Sequence, residues 1–251
     1  MGDLSLRELA DRLAADQQVD GSRWTADTVL AEALVWDSLA KAEVVELFAE
    51  HGHTLPYELL DELRTLGDLH HYLVAPGTVA VEGAGPAFRF VPITAADEPA
   101  VFRLHTEGEA LGRYRLRGRT PSPEDFHRFL WDRVLTQYLV VEGKDIAGVV
   151  TAYEHDARHR YVHLAAVSAA SRVDSGSTAR AVLRFVPRLF AEFDLRKIYA
   201  EVLASNFERF RSGVGRRFDV EGRLRDHEYL DGGYEDVYVL ATYRNRWSEP
   251  V

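Results

Sequence analysis

Acidic residues are concentrated in the first third of the chain, and this asymmetry constrains what the chain can fold into. Residues 1–75 contain fifteen acidic and five basic residues, whereas the rest of the chain contains 25 of each. The formal net charge of −10 therefore belongs to the first third alone. A chain of 251 residues is long enough for two modest cores, and such a charge difference is typical of two domains with different surfaces.

A stretch rich in Gly, Pro and Ala separates the two parts. Residues 76–87 show neither helical nor strand periodicity, so we expect a linker there. A segment of this length reaches roughly 45 Å when fully extended and averages about 20 Å as a flexible coil. We therefore predict one domain over residues 1–75 and a second over residues 88–251.

Composition excludes several classes of function. The chain has no cysteine, which excludes disulfides, thiolate catalysis and cysteine-ligated zinc. Neither domain has the positive excess that general nucleic-acid binding requires. No apolar run reaches membrane-spanning length, and the charged residues Asp3, Arg7 and Glu8 do not fit the pattern of a signal peptide, so we expect a cytoplasmic protein that binds no membrane. The histidine pairs lack carboxylates at ligand spacing, so we expect no metal.

The apolar spacing of the first domain predicts a small four-helix bundle. Helices are expected near residues 5–15, 39–50 and 66–73, with short turns near 28–32 and 56–60. Ser38 lies where the second long helix begins, beside Asp37. One interpretation is that either residue merely caps the helix, worth about 1 kcal/mol. The other is that the unpaired N–H groups and the helix dipole would stabilise a phosphate ester on Ser38.

Two motifs decide between these interpretations through a family resemblance. Asp37-Ser38-Leu39 before an acidic helix, followed by Thr65-Leu66-Gly67-Asp68-Leu69, resembles acyl carrier proteins over residues 3–75. Val35 stands where that family usually has glycine. The resemblance implies that Ser38 carries 4′-phosphopantetheine, attached by a phosphopantetheinyl transferase. Separately, the charge pattern predicts that the acidic helix, with Glu43, Glu46 and Glu50, docks against the basic residues Arg209, Arg211, Arg216 and Arg217, although such arginines are also typical of a solvated face.

The second domain alternates strands and helices, which predicts an α/β (α+β) fold. Residues 88–93 form a strand, and helices start at Thr94 and Ser122. A hairpin spans residues 138–153, and a further strand spans 161–167. A long helix over 178–193, a strand over 198–203, a short helix over 206–212 and a hairpin over 218–243 complete the pattern.

This order resembles the GNAT acyltransferase superfamily, in particular the branch that acetylates ribosomal-protein N-termini. The local match consists of Asn206, Phe218, Glu221-Gly222-x-x-Arg225 and Gly233-Tyr234-x-Asp236. The resemblance implies a mixed, mostly antiparallel sheet. It also implies transfer of an acyl group from a thioester, with CoA or acyl-CoA as the possible cofactor.

The segment that binds the acyl donor in that family is altered here. The resemblance assigns the donor to backbone amides at Val167 and Ser168, and to the residues Ser175, Gly176, Ser177, Thr178, Ala179 and Asn206. Asp174 stands where the family has Arg or Gln, and a carboxylate repels pyrophosphate. Arg172 is a possible substitute. Either the donor is an acyl-pantetheine arm without pyrophosphate, or the loop is degenerate.

Proton transfer has several candidates. Strand alternation places Tyr161, His163, Ala165 and Val167 on one face, and an imidazole at His163 suits a general base. Ser205, Ser212 and Tyr199 are the candidate general acids, because Gly213 and Arg209 occupy the positions of the family's usual hydroxyl. Rival bases are Glu107, Glu154, His155 and Glu201. Each of these residues also has the simpler interpretation of a satisfied polar side chain at the sheet rim.

Together these features predict an acyltransferase of a natural-product pathway that moves an acyl group between a phosphopantetheine thioester and an acceptor, favouring an amine. Its partners would be the phosphopantetheinyl transferase, a small-molecule donor and acceptor, and other biosynthetic enzymes that meet the carrier domain. Two alternatives stay open. The second domain could load its own Ser38 arm from acyl-CoA, or it could be a non-catalytic docking module.

Overall fold

The computed structural model describes residues 4–74, 88–107, 115–173 and 175–247. These residues form two compact units. The first holds residues 4–74 together with the segment Arg209–Arg216, and the second holds the remaining described residues. The segment Arg209–Arg216 thus departs from the division by sequence, which placed it in the second domain. The expected linker at residues 76–87 lies outside the described residues.

The first unit is helical. Its helices are α1 (Leu6–Gln17), α2 (Leu30–Ala33), α3 (Ser38–Glu50) and α4 (Leu66–Val74), with a 3₁₀ turn at Tyr57–Asp61. A capping box between Ser5 and Glu8 starts α1, because each side chain satisfies a backbone N–H of the other. Helix α1 runs two residues further than its apolar spacing predicted and ends at Gln18, which has the left-handed φ of 56°. Helix α2 has only four residues, so three helices supply most of this unit's core.

Buried leucines and aromatic rings hold the first unit together. The side chains of Leu9, Leu30, Leu66 and Leu69 are fully buried, and the ring of Phe48 packs 6.3 Å from that of Tyr72. The loop before α2 is tied to the start of α4, where the Gly67 amide donates to the Ala26 carbonyl at 2.8 Å. A Cβ at position 67 would lie 2.9 Å from that carbonyl oxygen, which explains the glycine at this position. This tie fixes α4 relative to the segment that leads into α3.

The second unit is built on a seven-stranded sheet. Its strands are β1 (Phe88–Pro92), β2 (Val134–Glu142), β3 (Asp145–Asp156), β4 (Tyr161–Ser168), β5 (Lys197–Leu203), β6 (Asp219–Leu230) and β7 (Gly233–Tyr243). The order across the sheet is β1-β2-β3-β4-β5-β7-β6. Only β4 and β5, among the described strands, pair in parallel. The expectation of a mixed, mostly antiparallel sheet is confirmed.

Helices cover both faces of this sheet. They are α5 (Glu98–Thr106), α6 (Pro123–Trp131), α7 (Ser177–Glu192) and α8 (Ala204–Phe207), the last continuing as a 3₁₀ turn at Glu208–Gly213. Helix α7 buries Phe185, Val186 and Leu189 against one face. Helices α5 and α6 cover part of the other face through Val101, Leu104, Phe126 and Leu130. Each strand of the centre is therefore apolar on both sides.

Several local expectations hold and others need correction. Ser122 accepts from the Asp125 amide and starts α6 as its sequence predicts. The first hairpin is longer than predicted, because β2 begins at Val134 and β3 runs to Asp156. The helix expected after Thr94 begins as a 3₁₀ turn, and the one expected over 206–212 is divided into α8 and a 3₁₀ turn. None of the helices in the described ranges is long and apolar enough to cross a membrane.

Candidate functional site

The parallel pair of the second unit opens into a cleft. Strands β4 and β5 pair only at Tyr161–Lys197, Val162–Ile198 and His163–Tyr199. Beyond His163, strand β4 continues for five residues and β5 for four without further pairing to each other. An opening therefore lies at the carboxyl ends of two parallel strands, the place where α/β sheets commonly bind ligands.

Backbone amides of β4 face this opening. Ser168 opposes Gly148 on β3, and the neighbouring Ala169 amide donates to the Ala147 carbonyl at 2.8 Å. Ser168 thus belongs to a non-hydrogen-bonded pair, and its N–H is directed away from β3, as is that of Ala166 two residues earlier. Val167 occupies the alternate position, where the ladder directs its N–H to β3. The ladder therefore favours Ala166 and Ser168, rather than Val167, as donors into the opening.

The loop that joins β4 to α7 is rich in hydroxyl groups. The Ser175 hydroxyl lies 2.7 Å from that of Ser177, and the Ser168 hydroxyl lies 2.5 Å from that of Thr178. Gly176 caps α7 with the left-handed φ of 69°, which leaves the amides of Thr178 and Ala179 in the first turn. Thr178 and Ser168 therefore join the end of β4 to the start of α7.

Arg172 forms ion pairs with two carboxylates of the protein, so its guanidinium is not available to bind a pyrophosphate group. Its guanidinium lies 3.7 Å from the carboxylate of Glu142 and 3.5 Å from that of Asp145. The Glu142 side chain is only 6% exposed, so it depends on this cation. Arg172 is thus a poor substitute for the missing pyrophosphate ligand. Asp174, the residue that departs from the family pattern, lies outside the described residues.

His163 lies in a cluster of aromatic rings at the closed end of the opening. Its ring centroid is 5.5 Å from that of Tyr199, 5.8 Å from that of Tyr161 and 5.7 Å from that of Tyr153. All four side chains are partly exposed. The strand register places them on the same face of the sheet as α5 and α6, because Tyr153 and His163 share the strand alternation of Val149 and Val167. We call Tyr153, Tyr161, His163 and Tyr199 the aromatic patch.

A buried lysine supports Tyr199. The Lys197 ammonium donates to the Tyr199 hydroxyl at 2.9 Å and to the Glu221 carboxylate at 2.7 Å. Burial alone would lower the pKa of Lys197, but its hydrogen bonds to Glu221, Tyr199 and Tyr243 outweigh burial and raise it. The same contacts hold the pKa of Glu221 below its usual value, mainly through the hydrogen bond from Lys197. Lys197 is therefore a fixed cation that donates to the Tyr199 hydroxyl, which also hydrogen-bonds to the Glu221 carboxylate.

Tyr199 and Ser205 lie at different ends of the opening. Tyr199 is paired with His163, whereas Ser205 lies two residues beyond the end of β5, and the end of β5 is itself four strand positions or about 13 Å from Tyr199. The Ser205 amide donates to the Glu235 carboxylate. Ser205 and Asn206 are both exposed. A general acid and base for one acyl transfer act on neighbouring atoms, so the structure groups Tyr199, rather than Ser205, with His163.

The rival bases are mostly engaged elsewhere. Glu154 lies 3.4 Å from Arg133, and Glu201 lies 3.1 Å from Arg117. His155 and Glu107 are exposed. No group of three or more His, Asp or Glu side chains in the described part of the chain is arranged to hold a metal ion. His163 is thus the candidate base that the fold brings closest to a second proton-transfer group.

Sequence reasoning missed Lys197, Glu221 and Tyr153 as parts of this site. Lys197 and Tyr199 are two residues apart on β5, so strand alternation alone predicts that their side chains lie on the same face of the sheet. The contact with Glu221 required the order β5-β7-β6, which local sequence does not reveal. Tyr153 joins the cluster because β3 pairs with β4 at His163.

Ser38 in the first unit is the first residue of α3 and is partly exposed. Asp37 is the N-cap, accepting from the Ala40 amide at 3.0 Å, so the helix start does not depend on the Ser38 hydroxyl. Tyr57 donates from its hydroxyl to the Ser38 carbonyl at 3.3 Å. Burial raises the pKa of that phenol. The Ser38 side chain is thus available for modification without loss of the cap.

The segment Arg209–Arg216 contacts the start of α3 within the same unit. The Ser212 amide and hydroxyl donate to the Asp37 carboxylate at 2.6 and 2.7 Å. Arg216 donates to the Glu43 carboxylate at 2.8 and 3.3 Å, and both side chains are nearly buried. Arg209 and Arg211 are exposed, and Glu46 is buried on α3. Of the four arginines expected to face the acidic helix, Arg216 thus forms a nearly buried ion pair with Glu43.

A buried histidine beside the aromatic patch makes stability depend on pH. His105 is 2% exposed, and burial lowers its pKa to about 4, with the nearby Arg115 charge acting in the same direction. Because the folded-state pKa lies below that of the unfolded chain, the folded state loses stability as pH falls from about 6.5 to 4. We expect wild type to lose about 2 to 3 kcal/mol more than His105→Leu over this range, measured by urea unfolding at several pH values. Parallel curves would contradict this.

Comparison with known proteins identifies the fold of the second unit. No family model and no curated protein matches the chain by sequence. Among solved structures, a Vibrio cholerae spermidine N-acetyltransferase in complex with CoA and spermine has a TM-score of 0.57 and 17% identity, covering 64% of this chain and 98% of its own. A chimera of that Vibrio cholerae enzyme and hSSAT has a TM-score of 0.56 and 18% identity, covering 65% and 99%. A protein provisionally named a phosphinothricin N-acetyltransferase has a TM-score of 0.54 and 15% identity, covering 63% and 99%.

Identities this low establish the fold alone. The second unit, a seven-stranded mixed sheet that opens between its one parallel pair of described strands and has helices on both faces, shares its fold with these N-acetyltransferase structures.

Proposed function

We propose that the chain is an acyltransferase of a natural-product pathway, which transfers an acyl group from a phosphopantetheine thioester to an acceptor amine. Ser38 would carry the 4′-phosphopantetheine arm. The observation that carries the proposal is the β4–β5 opening, lined by the Ala166 and Ser168 amides and closed by His163 and Tyr199. The fold shared with N-acetyltransferases supports transfer to nitrogen.

The chemistry follows from this arrangement. The amine nitrogen attacks the thioester carbonyl carbon, a C–N bond forms and the C–S bond breaks. The amide of Ala166, about three strand positions or 10 Å from His163, stabilises the oxygen as negative charge develops on it. His163 takes the amine proton through a water molecule, and the Tyr199 hydroxyl gives a proton to the departing sulfur. The products are an amide and a free thiol.

A donor without pyrophosphate is favoured by the charges around the loop. Arg172 is occupied by Glu142 and Asp145. The loop's hydroxyl groups bond to one another and to the Arg172 carbonyl. The pantetheine portion needs only backbone amides along β4, whereas the adenosine pyrophosphate of CoA needs cations. This supports an arm on a carrier as donor.

The donor preference tests the proposal. We expect Ser38→Ala protein, which lacks any arm of its own, to use acyl-pantetheine with a kcat/KM within about tenfold of that for acyl-CoA. The reason is that little binding energy is assigned to the nucleotide, and tenfold corresponds to about 1.4 kcal/mol. Initial rates with a simple amine acceptor provide the measurement. A preference for acyl-CoA of several hundredfold would contradict the proposal.

One alternative has an observation in its favour. A solved structure with this fold was crystallised with CoA, which supports CoA as a direct donor. In that case the second unit would load its own Ser38 arm from acyl-CoA, and the acceptor would be the arm's thiol. A second alternative, a non-catalytic docking module, predicts no turnover with either donor.

A further inference from the structure

A second site lies beside the aromatic patch, centred on Arg115. The Cζ atom of Arg115 lies 4.1 Å from the ring centroid of Tyr153 and 4.7 Å from that of Phe129 on α6. Both distances are within the range of a cation–π interaction. The two rings hold the planar guanidinium in one orientation, and Arg115 is partly exposed. A guanidinium held in this way loses little further entropy when it binds a ligand.

Arg115 differs from the neighbouring arginines in what it contacts. Arg117, two residues away, pairs with Glu201 and Glu228, and Arg133 pairs with Glu154. Within the described ranges, Arg115 contacts two aromatic rings, and no carboxylate there accepts a hydrogen bond from it. A guanidinium carries five N–H donors in a fork that matches a carboxylate. The contacts in the structure thus leave the edge of Arg115 available for an anion.

The position of Arg115 relates it to the proposed chemistry. The Tyr153 ring that contacts Arg115 at 4.1 Å also contacts the His163 ring, at 5.7 Å between centroids. Arg115 and His163 are therefore within about 10 Å of each other, a span that a small molecule bridges. If the amine of the acceptor lies at His163, a second functional group that is joined to the amine through one or a few bonds would lie beside Arg115.

We propose that Arg115 binds the carboxylate of the acyl acceptor, and that the acceptor is a small amino acid rather than a simple amine or polyamine. This inference rests on the proposed acyl transfer and names its substrate class. The guanidinium binds both carboxylate oxygens, which orients the amine towards His163. The neighbouring His105 is buried and neutral at physiological pH, with a pKa of about 4, so it does not compete as a second cation.

Matched acceptors test this inference on the full chain. The pairs are phenylalanine against phenethylamine and alanine against ethylamine, with rates normalised to the unprotonated amine. We expect wild type to favour the amino acid in kcat/KM by at least tenfold, and Arg115→Gln to lower that ratio by roughly 10- to 100-fold through KM for the amino acid. Arg115→Lys, which keeps the charge but not the fork, should fall between the two.

The controls separate the possible failures. Arg128→Gln, an exposed arginine on α6 whose side chain is 76% exposed, should leave the ratio as in wild type. A ratio near one in wild type, or a ratio unchanged in both Arg115 variants, overturns the inference while leaving acyl transfer intact.

Acetyl and succinyl donors are compared in parallel. A change in donor preference alone in the Arg115 variants would mean that Arg115 binds a carboxylate of the acyl group, which would overturn the inference. Absence of product with every amine would count against the proposed function itself. A thermal-shift titration of each variant with phenylalanine, without donor, gives a second readout, and its shift should be lost in Arg115→Gln.

Discussion

Ser38→Ala is expected to abolish attachment of 4′-phosphopantetheine and, with it, every transfer that uses a donor held on the chain itself. The hydroxyl oxygen of Ser38 would be the atom esterified to phosphate, and alanine has none. The substitution should leave the helix intact, because Asp37 caps α3 through the Ala40 amide and alanine is a strong helix former. Intact-protein mass spectrometry after treatment with a phosphopantetheinyl transferase and CoA is the measurement.

A second serine at a helix start provides the control. Ser5 is the N-cap of α1 in the same unit, and Ser5→Ala removes a capping box at a cost of about 1 kcal/mol. That variant should still gain the arm in full. Wild type that stays unmodified, while a known carrier in the same tube is modified, would show that Ser38 is only a helix residue.

The direction of acyl transfer can be measured with wild-type protein that carries the phosphopantetheine arm. The proposal expects an acylated arm to lose its acyl group when an acceptor amine is added. The alternative expects an unacylated arm to gain an acyl group when acyl-CoA is added to the isolated protein. Mass spectrometry of the intact chain distinguishes these results, and the second would remove the proposed direction.

Local sequence was sufficient for most of the secondary structure and for the position of Ser38. The capping serine at residue 122, the alternation along β4 and the start of α3 all follow from short-range rules that need no tertiary information. Local periodicity did not predict the mixed sheet, because strand order and direction depend on distant residues. That prediction rested on the resemblance to a family. The elements were predicted well because their patterns lie within about ten residues.

The candidate site was harder to predict from the sequence, because its contacts join strands that are distant along the chain. The pairing of His163 with Tyr199 depends on the parallel register of β4 and β5, and the support of Lys197 by Glu221 depends on strand order. Arg115 differs from Arg117 only in what surrounds each guanidinium, which the alternating arginines of this segment do not reveal. The charge pattern likewise grouped Arg216 with three neighbouring arginines opposite the acidic helix, but only the fold shows that Arg216 contacts Glu43.

Glu43→Ala is expected to destabilise the first unit by about 3 to 5 kcal/mol. The Glu43 and Arg216 side chains are 5% and 8% exposed, and their atoms approach to 2.8 Å. Removing the carboxylate would leave a nearly buried guanidinium without that partner, and such a loss is costly because the charge stays desolvated. Hydrogen exchange of the α3 amides measures the effect locally, which avoids assuming that the two units unfold together.

Lys41→Ala on the same helix is the matched control. Lys41 also forms an ion pair, with Asp61, but the Asp61 side chain is 70% exposed. Water screens that pair, so its loss should cost no more than about 1 kcal/mol. Equal effects of Glu43→Ala and Lys41→Ala on α3 would contradict the assignment of a buried pair.

The double substitution separates the strength of the pair from the cost of an isolated charge. Replacing both partners by apolar residues, Glu43→Leu with Arg216→Met, removes the two desolvated charges together. We expect this variant to lose less stability than either single alanine substitution, because exchanging a buried ion pair for apolar contact is often close to neutral. The Ser212 donation to Asp37 is independent of these charges and should keep the start of α3 in place. A double variant as unstable as the sum of the single ones would mean that Glu43 and Arg216 contribute independently rather than through each other.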